Sequence, residues 1–255
     1  MKKNVFISVV SHNQDELVMS NFGHFPKELG EFSIKVFIMD NTGSSSLKEY
    51  CYEKGLYYYH DGKIRGFGEN HNKMFSLISP KIQDTFIVCN PDIIIHNDQL
   101  LGLLRNFHKY ESDIYSVTTY FDKAANIKDN PDKHFPGFLN FPISLLTDNR
   151  LHYGTNKYVK SPEWISGGFM VFNAFSFMRL HGFDESYFMY CEDMDICYRA
   201  RNMGMSIIHD KKYYIEHDAQ MASRVPFSKS MIMHVKSSIQ FVFKTRQFAP
   251  ITIAI

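Results

Sequence analysis

The sequence predicts an α/β fold: one mostly parallel sheet flanked by helices, with a C-terminal helical extension. Three observations predict it. Short apolar runs rich in β-branched and aromatic residues recur at residues 5–10, 34–39 and 85–89, and such runs read as strands buried on both faces. Segments of helical pattern alternate with them, as in chains that wind helices over both sides of a sheet. Each run ends in a polar cluster: Ser11-His12-Asn13, Asp40-Asn41-Thr42-Gly43-Ser44 and Asn90-Pro91-Asp92. Ligands of open parallel sheets bind outside the carboxyl ends of the strands, so three clusters at three strand ends form the pattern of one shared site. The plain alternative is that strand-to-helix loops are polar anyway, and position alone does not separate the two.

The elements follow in order. Residues 46–54 read as a helix closed by Gly55, a residue suited to the left-handed helix end, and residues 56–60 as a short strand. Residues 70–77 read as a helix stopped by Pro80, and residues 99–110 as an amphipathic helix. Residues 120–160, rich in Asp, Asn, Lys and Pro, read as a long loop of the kind that forms lids and binding loops. Trp164-Ile165-Ser166-Gly167-Gly168 then leads into an apolar run at 169–172. Gly182-Phe183 sets a turn, residues 187–190 are aromatic-rich, and Glu192-Asp193-Met194-Asp195 opens a helix reaching about Asn202, with Gly204 placed to end it. Residues 206–209 and 213–217 read as two short strands and 228–247 as a last helix.

Composition bounds the function. The 255 residues suit one large domain. A formal net charge of +1 argues against a grip on long nucleic acid. Cys51, Cys89, Cys191 and Cys197 show no Cys-x-x-Cys spacing, which speaks for reduced thiols in a cytoplasmic protein and against a zinc site. The N-terminus lacks the h-region of a signal peptide, and no stretch reaches the ~20 apolar residues of a membrane span.

Several residues could carry chemistry. Asp92 follows a buried strand and suits a hard divalent cation whose shell a nucleotide diphosphate completes; it could equally cap its own Asn-Pro-Asp turn. Glu192, Asp193 and Asp195 lie in the first turn of a helix, where the dipole favours acids. Beside aromatic walls such a carboxylate also makes a good general base, since burial raises its pKa toward working pH. Asp195 and Arg199, four apart, are expected to pair across one turn. His217, with Glu216 before it, could bind a metal or touch a diphosphate, or be an ordinary surface imidazole. Gly66-Phe67-Gly68-Glu69-Asn70 with Asn72 could cradle phosphate or base at a helix start, but it is neither a Walker A motif nor a dinucleotide fingerprint. The last helix mixes Met231, Ile232, Val235, Ile239, Phe241, Val242 and Phe243 with Lys229, His234, Lys236, Lys244 and Arg246. It reads either as a helix packed on the core or as a basic amphipathic helix resting on an anionic membrane surface.

Together these residues resemble the inverting family 2 glycosyltransferases of GT-A fold, along nearly the whole chain. The resemblance implies a Rossmann-type sheet in a domain spanning residues 1–225, with a nucleotide-binding half (1–118), an acceptor and catalytic half (119–225) and a C-terminal amphipathic helix (226–255). It implies nucleotide contacts from Ser11, His12, Asn13, Asp40, Asn41, Gly66, Phe67, Asn70, Asn72 and Asn90. The family's Asp-x-Asp metal motif is matched by Asn90-Pro91-Asp92, with Asn in place of the first Asp, so Asp92 and His217 are the metal residues for Mg²⁺ or Mn²⁺. Trp164, Ser166, Gly167 and Gly168 are similar to the sugar and acceptor segment. Gly182-Phe183-Asp184-Glu185 through Glu192-Asp193-Met194-Asp195 is similar to the bacterial rhamnosyltransferases of O-antigen and other cell-surface polysaccharides, with Asp193 as base and Glu192 beside it. The implied activity is a metal-dependent inverting hexosyl transfer, L-rhamnose from dTDP-rhamnose, to a glycan or lipid-linked glycan, with cytoplasmic location and peripheral contact with the inner membrane. Other donors (a UDP-hexose or UDP-galactofuranose) and a non-catalytic nucleotide-sugar-binding module are the alternatives. A nucleotidyltransferase would need a basic phosphate-activating motif after Val10, and none follows it.

Overall fold

A computed structural model describes residues 2–129, 133–135, 162–217 and 228–245. Most of the expected loop at 120–160, the 225/226 boundary and the last residues of the C-terminal helix lie outside the described residues. Strand β1 (Lys3–Ser11) is followed by helix α1 (Asp15–Phe22), the two-residue β2 (Glu28–Leu29), β3 (Phe32–Asp40), α2 (Ser45–Lys54), β4 (Tyr57–Tyr59), α3 (Phe67–Ile78), β5 (Thr85–Cys89), β6 (Ile93–Ile94) and α4 (Asn97–Lys109). Then come β7 (Ile114–Asp122), β8 (Ile127–Lys128), β9 (Phe169–Asn173), α5 (Ala174–Arg179), α6 (Glu192–Asn202), β10 (Ile207–His217) and α7 (Lys229–Thr245).

The strands join one sheet in the order β2-β3-β1-β5-β9-β7-β10-β6, with β4 beside β3 and β8 beside β7. Strands β3, β1 and β5 run parallel, as predicted. The difference comes in the second half: β9 enters antiparallel between β5 and β7, so the sheet is mixed. An apolar run of five residues carries no mark of its direction, which is why the sequence could not separate the two cases. The line at 118/119 falls inside β7; both halves share the sheet.

Period-2 alternation sorts the strand side chains between two cores. Val5, Ile7 and Val9 of β1, Ile87 and Cys89 of β5, Phe169 and Val171 of β9, and Tyr115 and Val117 of β7 face one layer. There they meet Val18 and Phe22 of α1, Leu47 and Cys51 of α2, and the i, i+3, i+4, i+7 stripe Leu100, Leu103, Leu104 and Phe107 of α4. Phe6, Phe86, Val88, Met170 and Phe172 face the other layer, with Phe177 of α5, Met194, Ile196, Cys197 and Ala200 of α6, and Phe241 of α7. Phe172 is wholly buried among rings; truncation to Ala there would cost about 3–5 kcal/mol.

Local chemistry sets the element ends. Ser44 caps α2 by accepting the Leu47 N–H at 3.2 Å, worth about 1 kcal/mol. Helix α3 runs to Ile78, two residues short of Pro80; Ser79 caps it in the left-handed conformation and donates its N–H to the Phe75 carbonyl at 2.9 Å. The two short strands expected at 206–209 and 213–217 are one strand with a bulge between Asp210 and Tyr214. Asp210 accepts hydrogen bonds from Asn106 and Tyr115, both at 2.7 Å, where the bulge turns it inward. The helix α5, capped by Asn173 whose Oδ1 accepts the Phe175 N–H at 2.9 Å, and strand β7 complete the second half.

Candidate active site

The carboxyl ends of β1, β3 and β5 open onto a cleft of about 750 Å³ that is closed on its far side by β9, α6 and α7. His12, Asn41, Phe67, Asn70, Asn90, Asp92, Trp164, Ser166, Gly167, Gly168, Glu192, Asp193 and His217 all line it. These residues come from both halves of the chain, and the sheet order is what brings them together.

The side expected to take the nucleotide is built from β1, β3 and the start of α3. Asn41 forms a two-bond clamp on the backbone of Arg65: its Nδ2 donates to the Arg65 carbonyl at 3.1 Å and its Oδ1 accepts the Arg65 N–H at 3.3 Å. Asn70 Nδ2 donates to the same carbonyl at 3.1 Å, and its buried Oδ1 has no protein donor. Arg65 lines the cleft, and its guanidinium is fixed by Asp61 (2.8 and 2.6 Å) and Glu69 (3.3 Å). A cation so anchored suits an anionic or aromatic ligand group. The sequence reading missed Arg65; the usable signal was a basic residue immediately before Gly66-Phe67-Gly68. Gly66 is required by close approach, since a Cβ there would lie 2.2 Å from the Phe188 carbonyl oxygen. That carbonyl accepts the Phe67 N–H at 2.9 Å and so joins α3 to the aromatic turn of the catalytic half.

Besides Gly66, which lies behind the lining, four expected nucleotide residues stand off the cleft wall. Asp40 is buried, and its carboxylate accepts hydrogen bonds from the Thr42 and Ser44 N–H groups, the Thr42 hydroxyl and the Tyr58 hydroxyl at 2.7–2.8 Å. Burial raises its pKa, but those donors outweigh it and hold the carboxyl below its ordinary value. Asp40 therefore organises its own loop, off the cleft wall; in sequence a carboxylate of an Asx-type turn and a ligand carboxylate look alike. Asn72 bonds both ways with Phe183 and donates to Glu185, fastening α3 to the turn at 182–185. Ser11 is wholly buried, its carbonyl accepting the Asn41 N–H at 2.9 Å. Asn13 is exposed at positive φ beside His12.

The two residues expected at the metal and diphosphate, Asp92 and His217, lie where β5, β6 and β10 meet. His217 pairs with Ile93 across the antiparallel β10–β6 ladder, one residue past Asp92. That register sets His217 Nε2 3.0 Å from Asp92 Oδ1. The approach is off the hydrogen-bond direction, so this buried carboxylate oxygen gains no aligned donor. Among the described residues no group of three or more His, Cys, Asp or Glu side chains gathers around a point. One carboxylate oxygen and one imidazole nitrogen fit a divalent cation that draws its other ligands from phosphate oxygens and water.

The acidic pair is delivered by an unusual turn. Tyr190 and Cys191 both adopt positive φ (70° and 68°) immediately before α6, a conformation costing about 1–3 kcal/mol per residue. Asp193 Oδ2 accepts the Gly167 N–H at 2.8 Å, and Oδ1 accepts the Met194 N–H at 2.8 Å. Gly167 is needed for closeness, because a Cβ there would sit 3.2 Å from Asp193 Cβ. Glu192 is buried with Oε2 unpartnered. Burial, then the charge of Asp193, pushes the Glu192 carboxyl well up. Burial raises Asp193 too, opposed by the Gly167 N–H and the Lys133 charge. Two N–H donors on Asp193, against an unpartnered Oε2 on Glu192, favour the shared negative charge on Asp193 and the proton on Glu192. Trp164 forms part of the same wall, its Nε1 donating to the His134 carbonyl at 3.0 Å. Asp195 pairs with Arg199 at 2.7 Å, as expected.

Helix α7 packs on the core along one face and leaves apolar side chains exposed along another. Phe241 and Val242 bury in the core, while Ile232, Ile239 and Phe243 are exposed. Lys244, expected among the basic residues of the outer face, instead turns inward to Asp184 and Asp195. No described helix is long and apolar enough to cross a membrane.

No family model matches the chain. It is 28% identical over 256 residues, 95% of its own length and 94% of the relative's, to the rhamnosyltransferase WbbL of Escherichia coli (strain K12). Over 80 residues, 31% of this chain and 26% of the relative, it is 34% identical to the N-acetylglucosaminyl-diphospho-decaprenol L-rhamnosyltransferase of Mycobacterium tuberculosis (strain ATCC 25618 / H37Rv). In fold it is similar to the mannosyltransferase PcManGT from Pyrobaculum calidifontis, solved in complex with GDP-Man and Mn²⁺, with a TM-score of 0.65 at 12% identity over 98% of this chain and 66% of that one. The resemblance read from the residues is borne out: this chain has the GT-A glycosyltransferase fold and is akin, along nearly its whole length, to a bacterial rhamnosyltransferase.

Proposed function

We propose that the protein is an inverting, metal-dependent glycosyltransferase that moves L-rhamnose from dTDP-rhamnose onto a hydroxyl of a glycan or lipid-linked glycan in surface polysaccharide synthesis. The observation that carries this reading is the shared cleft, with the Asp92–His217 pair and the Asp193 carboxylate both on its wall. The nucleoside would lie along Asn41, Arg65 and Asn70, whose spare Oδ1 can accept an N–H from the base. Asp92 and His217 would hold Mg²⁺ or Mn²⁺, which supplies charge neutralisation for a departing diphosphate. Asp193 accepts the proton of the acceptor hydroxyl as that oxygen attacks the anomeric carbon on the face away from the diphosphate. Its two backbone donors hold the carboxylate still and ionised, and its burial keeps it more basic than an exposed Asp. Protonated Glu192 beside it avoids a second buried charge. One displacement with backside attack inverts the anomeric centre.

The test is a panel of nucleotide sugars scored by thermal shift with Mn²⁺, followed by product analysis by NMR. dTDP-rhamnose at about 100 times its Kd should stabilise the fold by roughly 2.7 kcal/mol, EDTA should abolish the shift, and the product linkage should be inverted. Retention of configuration, or an undiminished shift in EDTA, would overturn the mechanism or the metal respectively.

We also infer contact with an anionic membrane surface through α7. Exposed Lys229, Ile232, Lys236, Ile239 and Phe243 share one face at helical spacing. Co-sedimentation with anionic vesicles should fall in the Ile232→Glu/Phe243→Glu double variant; equal sedimentation would remove the membrane from the scheme.

A further inference from the structure

Helix α7 is bound to the segment that delivers the acidic pair. Ser237 Oγ donates to the Met189 carbonyl at 2.8 Å, and Ser238 Oγ lies 3.3 Å from Cys191 Sγ. Near the helix end, Lys244 Nζ donates to Asp184 Oδ2 and to Asp195 Oδ1, each at 2.5 Å. Asp195 is wholly buried. Its other oxygen accepts from Arg199 Nε at 2.7 Å, and the remaining Arg199 nitrogens donate to the Leu180 and Gly182 carbonyls. The Asp195 N–H closes the first bond of α6 onto the Cys191 carbonyl at 2.9 Å. Every one of these contacts brackets the positive-φ pair Tyr190-Cys191. Such a backbone persists only where its surroundings over-determine it, and α7 supplies much of that surrounding.

We propose that α7 is a latch for the turn that presents the base, and that Lys244 is its positioning residue. Lys244 fixes the start of α6 from one side while Gly167 fixes Asp193 from the other. With the latch open, the turn can relax toward ordinary φ, and Asp193 moves off the Gly167 N–H. A displacement of about 1 Å in a reacting group costs on the order of 10²-fold in rate. The partners of Lys244 lie in the catalytic half, so nucleotide binding at the β1, β3 and β5 ends should be spared. The activity part of this proposal rests on the glycosyl-transfer reading above; the positioning part does not.

The experiment compares full-length Lys244→Met, Lys244→Arg and Ser237→Ala with wild type by two readouts. In hydrogen–deuterium exchange, Lys244→Met should speed exchange in residues 186–195 and leave residues 85–89 unchanged; Lys244→Arg should restore protection, and the milder Ser237→Ala should give the same pattern more weakly. In transfer assays, Lys244→Met should lower kcat by about 10²-fold with donor KM within about twofold, and Arg should recover most of the loss. Wild-type exchange at 186–195 in Lys244→Met overturns the latch. Faster exchange throughout, or equal loss in Met and Arg variants with donor KM raised, assigns Lys244 to general stability and overturns it too. Absence of transfer by the wild type would sink the glycosyltransferase reading, while the exchange pattern would still decide the latch.

Discussion

The two sides of the cleft are built on different physical terms. On the expected nucleotide side, backbone and side-chain amides close on one another: Asn41 and Asn70 both grip the Arg65 backbone, and behind them the Asp40 carboxylate meets three donors from its own loop and a fourth from Tyr58 of β4. On the side of the acidic pair, two residues in succession hold a costly backbone, a buried acid lacks a partner at one oxygen, and a second acid is held by two backbone N–H groups, those of Gly167 and Met194. In the proposed reading, the Asn41–Arg65 side is shaped before the donor arrives and keeps one free acceptor, Asn70 Oδ1, for it, whereas a group that changes protonation during the reaction cannot be fully satisfied in either state.

The sharpest way to break this contrast is Asp193→Asn. It keeps the shape and a hydrogen-bond acceptor for Gly167 but removes the base. We expect kcat to fall by roughly 10²–10⁴-fold, with the donor-induced thermal shift retained; a variant of near-wild-type kcat would move the base elsewhere. Asn41→Ala should do the reverse. Loss of its two bonds to Arg65 costs about 1–2 kcal/mol, read as roughly a tenfold rise in donor Kd by calorimetry with kcat little changed. A fall in kcat at saturating donor would show that the two sides are not separable. The smallest effect is on stability. Because the Glu192 carboxyl is raised above its ordinary 4.5, its protonated form favours folding: that contribution is complete below the unfolded value and is lost as pH climbs through the raised one. Glu192→Gln mimics the neutral form. Its Tm should exceed that of wild type by a few degrees at about pH 9, with the gap shrinking toward acid pH; a gap independent of pH would place the charge on Glu192 after all.

Legibility in the sequence divides along the same line. Strands β1, β3 and β5 could be read because a strand buried on both faces leaves an uninterrupted apolar run, and α6 because acids and aromatics bracket its start. The clamp on Arg65 could not, since it is made by the Arg65 main chain, which any residue carries. Asp40 and Asn72 looked like ligands because turn-forming and ligand-binding polar residues are the same residue types; only their partners tell them apart. The direction of β9 and the inward swing of Lys244 depend on neighbours more than 40 residues away along the chain, and no local pattern encodes them.

The antiparallel entry of β9 has a consequence for how this enzyme can vary. Gly168 gives its carbonyl to the Asn90 N–H at 2.8 Å, next to the Asp92 end, and its neighbour Gly167 gives its N–H to Asp193. The neighbouring residues Gly167 and Gly168 thus serve as a ruler between the Asn90–Asp92 end and Asp193, the poles proposed for the leaving group and the proton. Side chains around the cleft can be exchanged to suit another sugar without disturbing that ruler. Adding or deleting one residue between Trp164 and Asn173 would shift every mark on it, so altered specificity should arise here by substitution and not by change of length.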